Sequence, residues 1–326
     1  MGKKLKVLML SVLLLAAMGI ASCGKKEVSK SNGKELKKIV MVMDLGGVND
    51  RSFNQSAWEG ALSAKDKYNV EISYIENQQE SDFTSSIETA VDMAPDLIIG
   101  VGFRLTNPIA EAAKNYPNQN FAIVDGAFED TIPSNVRPIL FSEFQSGYGV
   151  GVIASQMTQT NHVGFIGGFD IVSVSSFYNG YLQAINEEGS DIKVSCQYAN
   201  SFTDAAKGRA IAQQMVNNGV DIIFTAGGNV NTGVFEVAKE LGIKAISVDM
   251  PSNHLAPDVI LTSALKRVDK GVELTIKDLV ENNFSGGQAT IYDLSNDGVG
   301  YEVTPLLPNQ VIEYTDYKLN KLINKK

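Results

Sequence analysis

The sequence predicts an α/β protein built from two doubly wound lobes with a ligand cleft between them. Short apolar runs alternate with amphipathic segments along most of the 326 residues, and such runs are typical of parallel strands that helices cover on both faces. The rhythm occurs twice, since one series opens at Ile39 and another at Val163. Two such lobes form a cleft where the carboxyl ends of their strands meet.

The elements follow from the length and periodicity of each segment. Strands are predicted at 39–43, 70–75, 97–100, 121–124, 162–166, 193–198, 222–225, 245–248 and 259–262. Helical patterns lie between them, at 54–67, 84–93, 109–115, 147–158, 177–186, 204–217 and 231–241.

Residues 1–22 have the build of a secretory signal peptide. Lysines at 3, 4 and 6 precede an apolar run from Val7 to Met18, and small residues follow up to Cys23. The run is shorter than the ~20 residues that a membrane-spanning helix needs. The stretch before Cys23 resembles a bacterial lipobox, so we expect Cys23 to be lipidated and to become the new N-terminus. The alternative is an ordinary signal peptide followed by a chance cysteine.

The region after Cys23 is acidic and has a polar beginning. Residues 23–37 are rich in lysine and lack apolar periodicity, which predicts a lipidated cysteine followed by a flexible tether. Loss of residues 1–22 removes three lysines and no acids and leaves a formal charge of −12. This charge argues against nucleic acid as a partner, because phosphate binding needs clustered Lys and Arg.

Cysteine usage excludes an internal disulfide in the processed monomer. Only Cys196 remains after Cys23. It lies in an alternating, strand-like run at 192–198, so we expect a half-buried apolar side chain rather than a reactive thiol.

The loop after the first predicted strand carries the densest set of candidate binding groups. Asp44, Asn49, Asp50, Phe53 and Asn54 all fall within it, at the place where a doubly wound fold binds its ligand. Two carboxylates, two amides and an aromatic ring exceed what a simple connection needs. The alternative is that Asp50 and Asn54 cap the next helix and that Phe53 belongs to the core.

Further candidates follow other strands. Asp125 and Asp249 each come directly after a predicted strand, and carboxylates suit the paired hydroxyls of a sugar, although either residue can instead cap a helix or bond at a hinge. Phe202 stands in a polar loop and either packs on the next helix or faces Phe53 across the cleft. Two such rings can sandwich a planar base, at ~1–3 kcal/mol for each stacking contact.

Gly228 and Lys266 complete the candidate set. Gly228 lies in a glycine pair after a strand, where main-chain N–H groups can approach a ligand. No Gly-Lys-Ser/Thr follows it, so it is not a phosphate loop. Lys266 lies near the point where the chain is expected to cross between the lobes.

Signals for catalysis, a metal or a cofactor are lacking in the sequence. Neither of the two histidines has the spacing of a metal ligand, and no Gly-x-Ser-x-Gly or His-Glu-x-x-His motif occurs. We therefore expect no cofactor and no enzymatic activity. The remaining enzyme alternative is a nucleoside hydrolase that uses the acids between Asp44 and Asp50 on a metal.

Several sequence blocks together resemble the basic membrane protein family. These are substrate-binding lipoproteins of ABC transporters and include purine nucleoside receptors of the PnrA/TmpC type. The blocks are DLGGVNDRSFNQSAWEG from Asp44, FSEFQSGY from Phe141, VGFIGG from Val163, SFTDAAKG from Ser201, FTAGG from Phe224 and ISVD from Ile246. The resemblance covers residues 38 to about 314.

The resemblance implies a type I periplasmic-binding-protein-like fold with three hinge crossings. The first lobe would comprise residues 38–142 and about 266–288, and the second 143–265 and about 289–318. Phe53 and Phe202 would stack on the base, Asp44 and Asn54 would contact its edge, and Asp125 would also lie in the cleft. Gly228, Asp249 and Lys266 would hold the ribose hydroxyls. The family's usual Arg-Phe pair is Ser176-Phe177 here, which leaves the preferred base open.

The expected function is a monomeric, lipid-anchored receptor on the extracytoplasmic face of the cell membrane. It would capture purine nucleosides of the inosine, guanosine and adenosine class and present them to ABC permease and ATPase subunits. The alternatives are a surface lipoprotein that binds a host or signalling partner, and a receptor for a different sugar-type ligand.

Overall fold

Two six-stranded sheets organise the chain in the computed structural model, which describes residues 36–189 and 191–324. The predicted signal peptide, Cys23 and nearly all of the predicted tether lie outside the described residues. In the first sheet the strands lie in the order β11 (Thr290–Tyr292), β5 (Val136–Phe141), β4 (Phe121–Val124), β3 (Leu97–Val101), β1 (Lys38–Met43) and β2 (Glu71–Ile75), all parallel.

The second sheet repeats this arrangement. Its strands lie in the order β12 (Val299–Tyr301), β10 (Ile260–Lys266), β9 (Lys244–Asp249), β8 (Ile222–Ala226), β6 (His162–Gly167) and β7 (Lys193–Tyr198). All are parallel except β12, which runs antiparallel to β10. Each sheet therefore has the doubly wound 2-1-3-4-5 order plus one added edge strand, and the predicted pair of doubly wound lobes is confirmed.

Helices lie between the strands and supply the apolar faces that cover them. They are α1 (Phe53–Tyr68), α2 (Phe83–Asp92), α3 (Thr106–Asn115), α4 (Glu143–Met157), α5 (Val172–Glu188), α6 (Ala205–Asn217), α7 (Val230–Leu241), α8 (Val268–Val280) and α9 (Asn309–Ile323). Each sheet has buried apolar clusters on both faces. No helix of the described residues has the length and apolar character needed to cross a bilayer.

The chain passes between the sheets three times. It leaves the first sheet after β5, returns to it after β10 to form α8, and leaves it again between β11 and β12. We call each sheet with its helices a lobe. The third crossing comes after Tyr292 because β11 pairs with β5, whereas the sequence placed the start of the last second-lobe segment near residue 289.

Cys196 corrects one expectation. Its side chain is exposed rather than half-buried. It lies in β7, which forms an edge of the second sheet, and no residue of this strand is fully buried. The alternation of residue types predicts one buried face for this strand, but β7 is an edge strand and is covered only partly.

The helices α4 and α5 pack with their backbones in contact. A Cβ atom built at Gly180 would lie 2.0 Å from the carbonyl oxygen of Phe144, and one at Gly147 would lie 2.1 Å from that of Phe177. These distances are far inside van der Waals contact, so only glycine permits the approach. This packing fixes the start of α5, which forms part of the site described below.

Replacing Gly180 with Ala is expected to lower the free energy of unfolding by about 1–3 kcal/mol, because the added methyl group forces the helices apart. The loss should appear in urea denaturation although alanine is the better helix former by ~1 kcal/mol. Gly189→Ala is the matched control, since a Cβ atom there meets nothing within 4 Å. Equal stability of both variants and the wild type would contradict the close packing.

Candidate functional site

A cavity of about 720 Å³ lies between the lobes at the carboxyl ends of their strands. Nine of the residues singled out from the sequence line it: Asp44, Asp50, Phe53, Asn54, Asp125, Phe202, Gly228, Asp249 and Lys266. Asn49 does not line it; this side chain is exposed and faces a separate groove beside Gly47 and Glu76. We call the first space the interlobe cavity.

The two predicted stacking rings come from opposite lobes. Phe53 is the first residue of α1 in the first lobe, and Phe202 lies between β7 and α6 in the second. A Cβ atom at Gly168 would lie 2.2 Å from the Phe202 ring, so the glycine after β6 is what lets this ring lie against the end of the strand. Phe202 therefore packs on the second lobe and lines the cavity at the same time, so the two alternatives given for this side chain do not exclude each other.

Asp50 acts as a cap in addition to lining the cavity. Its carboxylate accepts hydrogen bonds from the backbone N–H groups of Ser52 at 2.9 Å, Asn54 at 2.9 Å and Gln55 at 3.0 Å. These are donors that the first turn of α1 would otherwise leave unpaired. The capping alternative is therefore correct for Asp50, whereas the Asn54 side chain points elsewhere.

The Asn54 amide is fixed on one side only. Its nitrogen donates to the carbonyl oxygen of Leu45 at 3.2 Å, while its buried Oδ1 has no hydrogen-bond partner among the described residues. The Oδ1 of Asp125 is likewise buried without a partner there. Buried polar atoms are normally paired, so these two acceptors on the cavity wall are suited to donors of a ligand.

Asp125 and Asp249 share an uncommon backbone conformation. Their φ angles are +60° and +66°, in the left-handed region that residues other than glycine rarely adopt. Asp125 directly follows β4 in one lobe, and Asp249 is the last residue of β9 in the other. Strained backbone of this kind is concentrated at functional sites. Here it accompanies two carboxylates that line the same cavity.

A buried ammonium lies at the base of the cavity. Lys266 ends β10 and is only 2% exposed. It donates to the carboxylate of Asp125 and lies 2.8 Å from the Glu143 carboxylate. The same Nζ is 5.2 Å from the centre of the Phe53 ring. The cluster therefore joins both lobes.

Several lining residues were not singled out from the sequence. Ser173 and Phe177 contribute from the start of α5, and Ser52 and Phe103 contribute from loops. The spacing of Ser173 and Phe177 places them on one helical face, which is the signal that would have pointed to them. Glu143 touches Lys266 without lining the cavity, and only the folded structure brings the two together.

The described residues contain no group of three or more His, Cys, Asp or Glu side chains arranged to hold a metal ion.

Comparison with known proteins agrees with this architecture. Residues 37–326 match the sequence model of the Bmp family, described as ABC transporter substrate-binding protein PnrA-like. The chain belongs to this family. The resemblance stated from the sequence blocks is thereby confirmed.

Relatives match the chain over nearly all of its length. The ABC transporter nucleoside-binding protein BmpA of Lactococcus lactis is 36% identical over 320 residues, which is 91% of each protein. Basic membrane protein A of Borreliella burgdorferi is 34% identical and the match covers 98% of this chain and 94% of the relative.

A solved structure shows the same fold. The solute-binding protein of an ABC transporter system from Aeropyrum pernix superposes with a TM-score of 0.77 at 28% identity, covering 87% of this chain and 86% of that one. The predicted type I periplasmic-binding-protein-like fold is confirmed. Bmp proteins are substrate-binding components rather than enzymes, and they work on the extracytoplasmic side of the membrane.

Burial dominates the pKa values of the carboxylates in this Bmp site. It raises the pKa of Asp249 to about 6, in spite of Lys266 and of the Ser52 hydroxyl, which donates to Asp249 at 2.5 Å. Burial also raises the pKa of Glu143 to about 7 although Lys266 is near. Burial alone would lower the pKa of Lys266, but attraction to Asp125, Glu143 and Asp249 outweighs it and raises that pKa.

Asp44 is held beside a second cation. Arg104 donates to its carboxylate at 3.1 Å. Burial nevertheless raises the pKa of Asp44, and the arginine only limits the rise. A Cβ atom at Gly102 would lie 2.7 Å from Asp44 Oδ2, and φ at this glycine is +111°, so the strand end leaves just enough room for the carboxylate.

Asp249→Asn is expected to stabilise the ligand-free protein, and increasingly so as the pH rises. Because the folded pKa of about 6 exceeds the ordinary value of 3.8, the folded state holds this proton more tightly than the unfolded state does. The free-energy cost of ionising this buried carboxylate in the folded state is therefore absent below about pH 4 and fully present above about pH 6. Urea titrations at pH 4 and pH 7 should show a gain that reaches about 3 kcal/mol at pH 7.

Asp258→Asn is the control for the loss of one acidic side chain, because Asp258 is exposed. If the gain from Asp249→Asn were the same at both pH values, the burial penalty on this carboxylate would not exist.

Proposed function

We propose that this protein captures purine nucleosides in the interlobe cavity and delivers them to the permease and ATPase subunits of an ABC transporter. The observation that carries the proposal is the pair of rings, Phe53 and Phe202, which line one cavity from opposite lobes. A purine inserted between them contacts both lobes through its two faces. Stacking of this kind accepts any purine, so inosine, guanosine and adenosine form the expected class.

The polar walls suit the remainder of a nucleoside. Asp44 and Asn54 line the same cavity as Phe53, and the Asp44 carboxylate and the free Oδ1 of Asn54 can accept hydrogen bonds from the edge of a base. The Oδ1 of Asp125 and the carboxylate of Asp249 can accept from ribose hydroxyls. Lys266 can donate to the same hydroxyls, and the main chain at Gly228 approaches from the second lobe. The relative from Lactococcus lactis is named nucleoside-binding, which supports this choice of ligand.

Closure of the lobes provides the means of capture. In the described structure Ser52 of the first lobe donates to Asp249 of the second at 2.5 Å, so the lobes already touch across the cavity. A ligand that contacts both lobes stabilises this closed arrangement relative to an open one. We propose that a monomer, anchored through a lipid on Cys23, performs the cycle at the membrane surface.

Calorimetric titration with inosine, guanosine, adenosine, cytidine and ribose tests the ligand class. We expect the purine nucleosides to bind most tightly, because only they offer a large ring for both aromatic side chains together with ribose hydroxyls for the carboxylates. Tight binding of ribose without binding of any nucleoside would refute the proposal and favour a sugar receptor.

Phe53→Ala and Phe202→Ala are each expected to weaken purine nucleoside binding by about 1–3 kcal/mol, the free energy of one base–aromatic stacking contact. Calorimetry measures the loss directly. Tyr317→Ala is the matched control, because this ring is exposed on α9. Unchanged affinity in both phenylalanine variants would rule out the sandwich.

Cys23→Ala is expected to abolish incorporation of labelled palmitate and to release the protein from the membrane fraction, since the thiol is the proposed lipid acceptor. Cys196→Ala is the control and should keep both properties. Labelling that persists in Cys23→Ala would contradict the anchor.

A further inference from the structure

Arg104 lies behind two walls of the interlobe cavity without lining it. It belongs to the first lobe, in the short turn Phe103–Leu105 that follows β3. The centre of its guanidinium group is 5.1 Å from the middle of the Phe169 ring and 5.6 Å from that of Phe202. Both rings belong to the second lobe, where they also pack on each other with centres 5.2 Å apart.

The same guanidinium is anchored within its own lobe. It donates to Asp44 at 3.1 Å and lies 2.7 Å from the carboxylate of Glu80. The Arg104 side chain is only 13% exposed. A planar guanidinium can form ion pairs in its plane and stack on aromatic rings with its faces at the same time, which a lysine ammonium cannot do.

We propose that Arg104 is a positioning residue that latches the second lobe onto the first and holds Asp44 and Phe202 in the geometry that a bound purine requires. This inference rests on the proposed function of the cavity. Arg104 itself lies outside the cavity and acts on the ligand through Asp44 and Phe202, which line the cavity.

The latch stabilises the closed state because opening breaks the contacts of Arg104 with the second lobe and keeps its contacts within the first lobe. When the lobes separate, Arg104 keeps Asp44 and Glu80, which belong to its own lobe. It loses Phe169 and Phe202, which move with the other lobe. A contact present only in the closed state stabilises that state alone, and it slows release of the ligand rather than speeding its arrival.

The experiment compares the full chain with Arg104→Gln and Phe169→Ala. Phe169 is not among the residues that line the cavity, so its truncation removes one of the two ring contacts of the latch from the opposite side. Binding of inosine, guanosine and adenosine is measured by calorimetry, and the association and dissociation rates by stopped-flow fluorescence. We expect each variant to weaken binding about tenfold, almost entirely through faster dissociation.

The double variant distinguishes a latch from general damage to the fold. Because Arg104→Gln already removes the contact between Arg104 and Phe169, adding Phe169→Ala should weaken binding hardly further than Arg104→Gln does alone. Arg209→Gln is the control for the loss of an arginine, since Arg209 pairs with Glu236 and Glu240 within the second lobe. It should leave both rates unchanged.

The outcomes separate the latch from the proposed function. If the wild type binds a nucleoside and the variants release it at the wild-type rate, or if the two effects simply add, the latch is overturned and the function stands. If the wild type binds none of the three nucleosides, the proposed function fails. In that case small-angle X-ray scattering of the free proteins decides: a larger radius of gyration in Arg104→Gln supports the latch, and an equal radius overturns it.

Discussion

The ammonium group of Lys266 is the point on which the rest of the site depends. It lies at the second of the three crossings between the lobes and contacts Asp125 of the first lobe and Glu143, the first residue after the first crossing. Burying carboxylates of like charge together is strongly unfavourable unless a cation is buried with them. Lys266 therefore allows acidic side chains from both lobes to converge at the hinge, and it places them where a polar ligand is held.

The arrangement favours binding at some expense of stability. Asp125 and Asp249 hold left-handed backbone conformations, two buried acceptor atoms lack partners among the described residues, and burial raises the pKa of Asp249. Each of these features is unfavourable in the ligand-free protein, and hydroxyl or N–H donors of a ligand would offset the cost of the buried acceptors and of the buried charge. In the function that we propose, contacts across the cavity couple ligand binding to lobe closure, and the rings supply affinity while the carboxylates supply selectivity for a nucleoside.

How much the sequence predicts depends on whether the signal is local. The apolar strands and the polar groups that directly follow them are contiguous in sequence, so the sequence predicts the fold, and nine of the ten candidate residues line the interlobe cavity. Strand β5 was missed because Arg137 and Pro138 interrupt it; the buried Arg137 is tolerated through its ion pair with Asp278 at 2.6 Å. Glu143 and Arg104 were missed because their partners are distant in the chain. Asn49 shares the loop of true lining residues but faces away.

A crystal structure of the protein with inosine tests the central claim most directly. The account predicts that the hypoxanthine ring lies between Phe53 and Phe202, with its edge towards Asn54 and Asp44 and the ribose hydroxyls towards Asp125 and Asp249. Inosine bound outside the interlobe cavity, or bound inside it with the ribose rather than the base between the two rings, would contradict the account.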